Sequence, residues 1–339
     1  MMRQTWIWMI TMIVLLLCGC NARAGKYVFS VEGDKCLLNG REMKIIGLRC
    51  SNAAISDAET QELIDNLDTF KSYGVNTVSV FFMGSRFGDV QGYKKDATLD
   101  PAYARRIGRI IEAADDRGMV VLVGCLYWST SKAKAELGHW TQEHANRAIA
   151  NTIRWLKKHD YRNVFVDPDN EGMAVRATKW DSGRMIEAGR AVDDSFVIGY
   201  NNRAKPPAAA DILLHHSPKD PRRPWIQSEG TPNNAPGGYW GSYSKQGRRY
   251  NNGPDLYNYI NVGVYNDAMK QNQYKQTRND INEHNGHILA STWLQCVPPK
   301  GPNHTPGGDG SKNNPGIKWW LEYVRDNFTA PWTPPKPLE

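Results

Sequence analysis

The chain of 339 residues lacks most of the signatures that announce metal, nucleotide or nucleic-acid chemistry. No His-x-His or His-Glu-x-x-His spacing occurs, so no ready-made catalytic metal site is written into it. Beyond residue 24 the cysteines are Cys36, Cys50, Cys125 and Cys296. None stands at Cys-x-x-Cys spacing, which argues against structural zinc, and they read as buried, unpaired small hydrophobes. No glycine-rich phosphate loop follows the first parallel strand, which weakens a nucleotide-binding reading. No basic run reaches five residues, so the net charge of +7 reads as a solvated basic surface, and no nucleic-acid partner is expected. An acidic glycan is compatible with that bias without being demanded by it.

Long apolar runs are missing too. The longest, residues 7–17, is too short to cross a bilayer. With Arg3 before it, the run has the form of a secretory signal, so residues 1–24 are expected to be an export segment outside the fold. Leu17-Cys18-Gly19-Cys20 resembles a bacterial lipobox, which makes Cys20 a candidate for lipidation; Ala22-Arg23-Ala24 serves equally well for ordinary cleavage. The expected location is therefore exported: periplasmic, secreted or membrane-anchored, with Cys20 the only membrane contact.

What remains is globular in composition, 40% hydrophobic and 23% charged. Two extended runs around Gly33-Asp34, with Asn39-Gly40 marking a second turn, read as a short hairpin leading into a buried strand. Strands are then expected at 44–48, 76–82, 119–125, 163–167, 196–200, 211–215, 224–227 and 286–293. Helices are expected at 57–73, after the Asp100-Pro101 cap, and at 141–158, 174–192, 255–283 and 317–327. Eight strands alternating with helices predict an α/β fold, a closed (β/α)8 TIM barrel, over an open doubly wound sheet. No linker interrupts residues 25–330, which read as one domain; the Pro-rich tail from Pro331 reads as loose.

Two strands each deliver one glutamate followed by glycine: Asp169-Asn170-Glu171-Gly172 after the fourth, and Gln227-Ser228-Glu229-Gly230 after the seventh. Barrels place catalytic groups at the C-terminal ends of their strands. Two carboxylates converging there are the equipment for cleaving a glycosidic bond. The bland alternative, two polar loop residues, fits either glutamate alone better than it fits both. Asp167 and Asp169 read as a strand-end residue and a loop hydrogen-bonder. With like charges close together, Glu229 is expected to raise the pKa of Glu171.

On these residues the chain resembles clan A of the retaining glycoside hydrolases, the barrel group that includes the family 5 cellulases and mannanases. The resemblance covers nearly all of residues 26–327. It implies Glu171 as general acid/base, Glu229 as nucleophile, Asn170 as a contact to the sugar 2-hydroxyl, His215 as the His-x-Tyr histidine, and Trp293 as the sugar platform. Three positions depart from the family pattern. Gly172 replaces a proline expected only to shape the loop. Ser217 stands where a tyrosine would orient the nucleophile, with Tyr200 as a substitute. Ser79 stands where an arginine is usual, with Arg49 as its replacement. Trp128 is a further candidate for stacking on sugar. The loop 231–254, with Arg248 and Arg249, is expected to govern specificity. The reading is thus an exported monomer acting on a poly- or oligosaccharide without cofactor or metal. A catalytically silent glycan-binding barrel and a metal-dependent barrel hydrolase are the rivals.

Overall fold

The computed structural model describes residues 25–83, 90–128, 135–230, 267–290 and 318–339. The chain opens with β1 (Phe29–Glu32), β2 (Lys35–Leu38) and β3 (Arg41–Met43), an antiparallel meander. The expected hairpin thus gains a third strand across the Asn39-Gly40 turn. Asn39 holds the turn from its side chain, accepting from the Val28 amide at 2.7 Å.

The barrel strands follow in chain order: β4 (Ile45–Arg49), β5 (Thr77–Phe81), β6 (Val120–Leu126), β7 (Val164–Asp169), β8 (Val197–Tyr200), β9 (Ile212–Leu214), β10 (Trp225–Gly230) and β11 (Gly286–Leu289). Every adjacent pair is parallel, and β11 returns to β4 to close the barrel. Each strand is buried on both faces apart from Glu229, which is why the sequence reads as near-continuous apolar runs. Phe29 packs on Phe165, with ring centroids 5.1 Å apart. Phe165 shares a face of β7 with Asp167, because side chains alternate along a strand. The meander therefore closes the N-terminal end of the barrel, opposite the end where Glu171 and Glu229 lie.

The helices begin where the sequence signals them. In α1 (Asp57–Ser72) Ser56 accepts from the Glu59 amide, and in α2 (Pro101–Asp115) Asp100 accepts from Ala102 and Tyr103. α3 (Gln142–Lys158) packs its apolar stripe, Ala145 to Leu156, onto the sheet. The single helix expected at 174–192 is two, α4 (Met173–Thr178) and α5 (Ser182–Arg190). Lys179 takes a left-handed φ of 66°, and Asp181 starts a new helix by accepting from Gly183. α6 (Asp267–Asn282) and α7 (Lys318–Asn327) complete the described layer.

The tail is not loose. Trp332 donates from its backbone to Lys71 and from Nε1 to Gly118, and Leu338 donates to Lys26. The tail thus straps α1 and α2 to the start of the chain. Cys36, Cys50 and Cys125 are free and buried, as expected; Cys296 lies outside the described residues.

Candidate active site

The site is built on the ends of β4, β7 and β10. Glu171 sits in the 3-10 turn Asn170–Gly172 that follows β7, while Glu229 lies within β10 itself. β10 therefore runs three residues past Gln227, to Gly230, and presents its carboxylate from the ladder.

The turn carrying Glu171 is unusual. Glu171 and Gly172 both have left-handed backbones, with φ of 54° and 62°. A left-handed non-glycine residue is strained and persists only where its surroundings hold it. Here both carboxylate oxygens of Asp169 accept from Ala174 and Val175 at 2.8 and 3.0 Å, pinning the start of α4 to the end of β7. Arg176 donates to the Glu171 carbonyl at 2.7 Å. Gly172 does more than shape a loop: a proline, locked near φ of about −65°, has no access to its conformation.

Arg49 ends β4, fully buried, over the rings of Phe81 and Tyr127 at 4.8 and 5.6 Å. It donates to Asn170 Oδ1 at 2.9 Å and to the Ser228 carbonyl at 3.1 Å, and lies 3.3 Å from Glu229 Oε2. It pairs in register with Ser79, whose small side chain leaves the cation its space. The sequence-level substitution of Arg49 for a β5 arginine thus has a geometric counterpart. Asn170 Nδ2 lies near enough to lower the Glu229 pKa, yet has no partner of good hydrogen-bond geometry.

Glu171 and Glu229 lie close enough to perturb each other's titration. Burial pushes Glu229 up to about 8, with Glu171 adding to the rise and Arg49 opposing it. Burial also acts to raise Glu171, but His216 and Glu229 outweigh it and hold Glu171 down at about 2. The coupled pair therefore shares one proton between its two carboxyls. His215 and His216 stand together after β9 in the sequence, and the fold turns one of them toward Glu171.

That histidine is His216, with Nε2 3.5 Å from Glu171 Oε2. His215 stands beside it, ring centroids 4.1 Å apart, and its Nδ1 bonds Gln227 Oε1. Burial, then His216, lowers the His215 pKa to about 4. Successive residues normally point apart, but a φ of 27° at His215 brings both rings to one side. Glu171, His215 and His216 hold ligand-type atoms within 4.8 Å of one another, the set among the described residues that could hold a metal ion.

Asp167 is buried in the barrel, accepts from Asn201 at 2.8 Å, and is raised to about 6 by burial. Asn201 Oδ1 in turn accepts from the His216 amide at 3.3 Å. Asp169 is raised to about 7 by burial and acts as the helix anchor described above. Tyr200 does not reach Glu229. Asn201 turns inward to Asp167, so Tyr200 turns outward by alternation, where burial and the nearby Asp181 and Asp169 raise its phenol. Ser217 donates to the Tyr200 carbonyl. Trp128 is 5% exposed and packs on Trp140 and Trp180. Trp293, Arg248 and Arg249 lie outside the described residues.

No family model matches the sequence, and no curated protein does. Solved structures do resemble the fold. A β-glucanase from Saccharophagus degradans superposes with a TM-score of 0.54 at 14% identity, over 89% of this chain and 93% of that one. A glycoside hydrolase family 5 structure from Bacteroides vulgatus gives 0.50 at 17%, over 88% and 68%. A further structure described as a glycoside hydrolase gives 0.52 at 15%, over 88% and 72%. The likeness establishes the fold.

Proposed function

We propose that the chain is an exported glycoside hydrolase that cleaves β-glycosidic bonds of a poly- or oligosaccharide with retention, by double displacement. Glu229 is the nucleophile and Glu171 the general acid/base. One observation carries the reading: two glutamates with coupled titrations at the C-terminal mouth of a closed barrel, with Arg49 3.3 Å from one of them. Retaining pairs stand about 5–5.5 Å apart, and inverting pairs about 6.5–9.5 Å apart to admit a water. Carboxyls coupled this strongly fit the closer, retaining spacing.

The pair shares one proton, and the competent form holds it on Glu171. With the proton on Glu171, Glu229 is ionised against Arg49. Glu229 then attacks the anomeric carbon while Glu171 protonates the leaving oxygen. In the glycosyl-enzyme Glu229 carries no charge, and Glu171 takes a proton from the incoming water. Asn170 is assigned as the contact to the 2-hydroxyl, supported by an Nδ2 left without a partner, and Trp293 as the sugar platform. A similar fold from Saccharophagus degradans was solved with cellotetraose, at 13% identity and a TM-score of 0.53, so cello-oligosaccharides head the substrate panel. Export, with lipidation at Cys20 as its anchored form, rests on residues 1–24.

Replacing Glu229 with alanine tests the nucleophile. Turnover should vanish while the circular dichroism spectrum stays native, and azide should restore part of it as a glycosyl azide of inverted configuration. NMR of the first product of the unmodified enzyme should show the substrate's anomeric configuration. Unchanged turnover in folded Glu229→Ala would sink the assignment, and an inverted first product would sink the retaining mechanism.

A further inference from the structure

We propose that the mouth of the barrel is also a binding site for one divalent transition-metal ion, held by Glu171, His215 and His216. Occupation of the site would switch the acid/base off. The binding claim stands on geometry alone; the inhibition claim rests on the glycosidase reading above.

Three observations lead there. The first is the strained backbone. A histidine at φ 27° costs free energy, and here the strain has a visible consequence: two successive imidazoles lie on one side of the chain, 4.1 Å apart. In a relaxed extended segment they would point to opposite faces.

The second is the tautomer of His215. Gln227 Oε1 accepts the Glu229 amide at 3.2 Å, so the group facing His215 is the oxygen and not the amide nitrogen. An oxygen can only accept, so His215 Nδ1 carries the hydrogen, and Nε2 is left with its lone pair. A histidine ligand whose other nitrogen donates to a carbonyl is the usual orienting arrangement at metal sites.

The third is spacing. His216 Nε2 and Glu171 Oε2 are 3.5 Å apart. Two ligands at about 2.0–2.2 Å from zinc, at a tetrahedral angle, are themselves about 3.3–3.5 Å apart. All three ligand atoms lie within 4.8 Å, so closing on one ion asks for side-chain rotation only. Two imidazoles and a carboxylate suit zinc, copper, nickel or cobalt better than calcium or magnesium. The three side chains are partly exposed, which leaves a route for the ion and an open coordination position. A metal on the Glu171 carboxylate occupies the electron pair that must receive and release the catalytic proton.

The test is titration of the purified, metal-stripped full chain with zinc in a calorimeter, and with cobalt in a spectrophotometer. One saturable site is expected, with a cobalt d–d spectrum of low coordination number. His215→Ala and His216→Ala should each remove it, and Gln227→Ala should weaken it about 10–100-fold by freeing the His215 ring. Circular dichroism confirms that each variant is folded. The control is the surface pair His139 and His144, with ring centroids 5.6 Å apart. Binding abolished by His144→Ala and retained in His215→Ala would overturn the proposal, as would no saturable binding at all. Zinc should also inhibit turnover over the concentration range in which it binds. Binding without inhibition would overturn only the switch, and would count against Glu171 as the acid/base. Failure of the glycosidase reading alone would leave the calorimetry unchanged.

Discussion

Glu171 and Glu229 titrate as one unit, with steps at about 2 and about 8. Between those limits the pair holds the single proton that double displacement needs. Above the upper step both carboxylates are ionised and no acid remains. The kcat/KM profile should therefore fall on its basic side near pH 8. Arg49 lowers the upper step, so Arg49→Gln should move that limb to higher pH as well as reduce the rate. A limb that stays put would mean that Arg49 is not coupled to the titrating pair. Glu171→Ala should hurt substrates with poor leaving groups far more than activated aryl glycosides, since only the former need protonation to depart. Equal losses on both would make Glu171 a sugar-positioning residue. Gly172, buried beside Glu171, is a backbone dependency of the same site. A Cβ there would sit 2.7 Å from Asn202 Cγ at a φ of +62°. Alanine should cost roughly 1–2 kcal/mol from the left-handed conformation alone, read as a lower Tm, with turnover falling because Glu171 is its neighbour. Proline should do worse than alanine.

At the scale of elements, the site depends on how two strands end. β7 is tied to α4 by Asp169, which satisfies two amides at the start of the helix. Asp169→Ala should cost about 1–2 kcal/mol as a lost helix cap, and should lower kcat more than the stability loss explains, because the Glu171 turn spans that tie. Asp169→Asn, keeping one acceptor, should fall between. β10 ends against β11: a Cβ on Gly230 would lie 2.0 Å from His287, which Asp280 holds at 2.8 Å. These dependencies explain what the sequence could reveal. α1 and α2 were legible because Ser56 and Asp100 are local caps before regular apolar stripes. The split between α4 and α5 was not, since the apolar spacing runs on past Lys179; Asp181-Ser182-Gly183 was the readable cap. Arg49 could be placed from its position at the end of β4. The outward turn of Tyr200 follows from alternation once Asn201 is known to face Asp167, which is a contact between strands. The His215–His216 arrangement depends on one positive φ that no propensity encodes.

Over the whole molecule the barrel separates chemistry from stability. The carboxylates stand at the C-terminal ends of the strands, and the meander and the tail cover the other end. A cavity of about 360 Å³ lies at that lower end, walled by Arg41, Lys44, Phe328 and Trp332. The strap from Pro331 to Glu339 holds the region together. Trp332 reaches Lys71 and Gly118, Arg41 lies over its ring at 5.4 Å, and Asn39 donates to Lys336 at 2.9 Å. Deleting residues 331–339 removes a half-buried indole and several backbone hydrogen bonds, together about 2–4 kcal/mol. At about 2–4 °C per kcal/mol for a chain of this class, Tm should drop by roughly 4–16 °C. The pair of glutamates is held by β4, β7 and β10, none of which loses a partner at its upper end. At a temperature where the shortened chain remains folded, KM and the pH limb near 8 should therefore match those of the full chain. A shifted pH limb in a folded truncation would show that the lower end of the barrel is coupled to the Glu171–Glu229 proton, and that the two ends do not act separately.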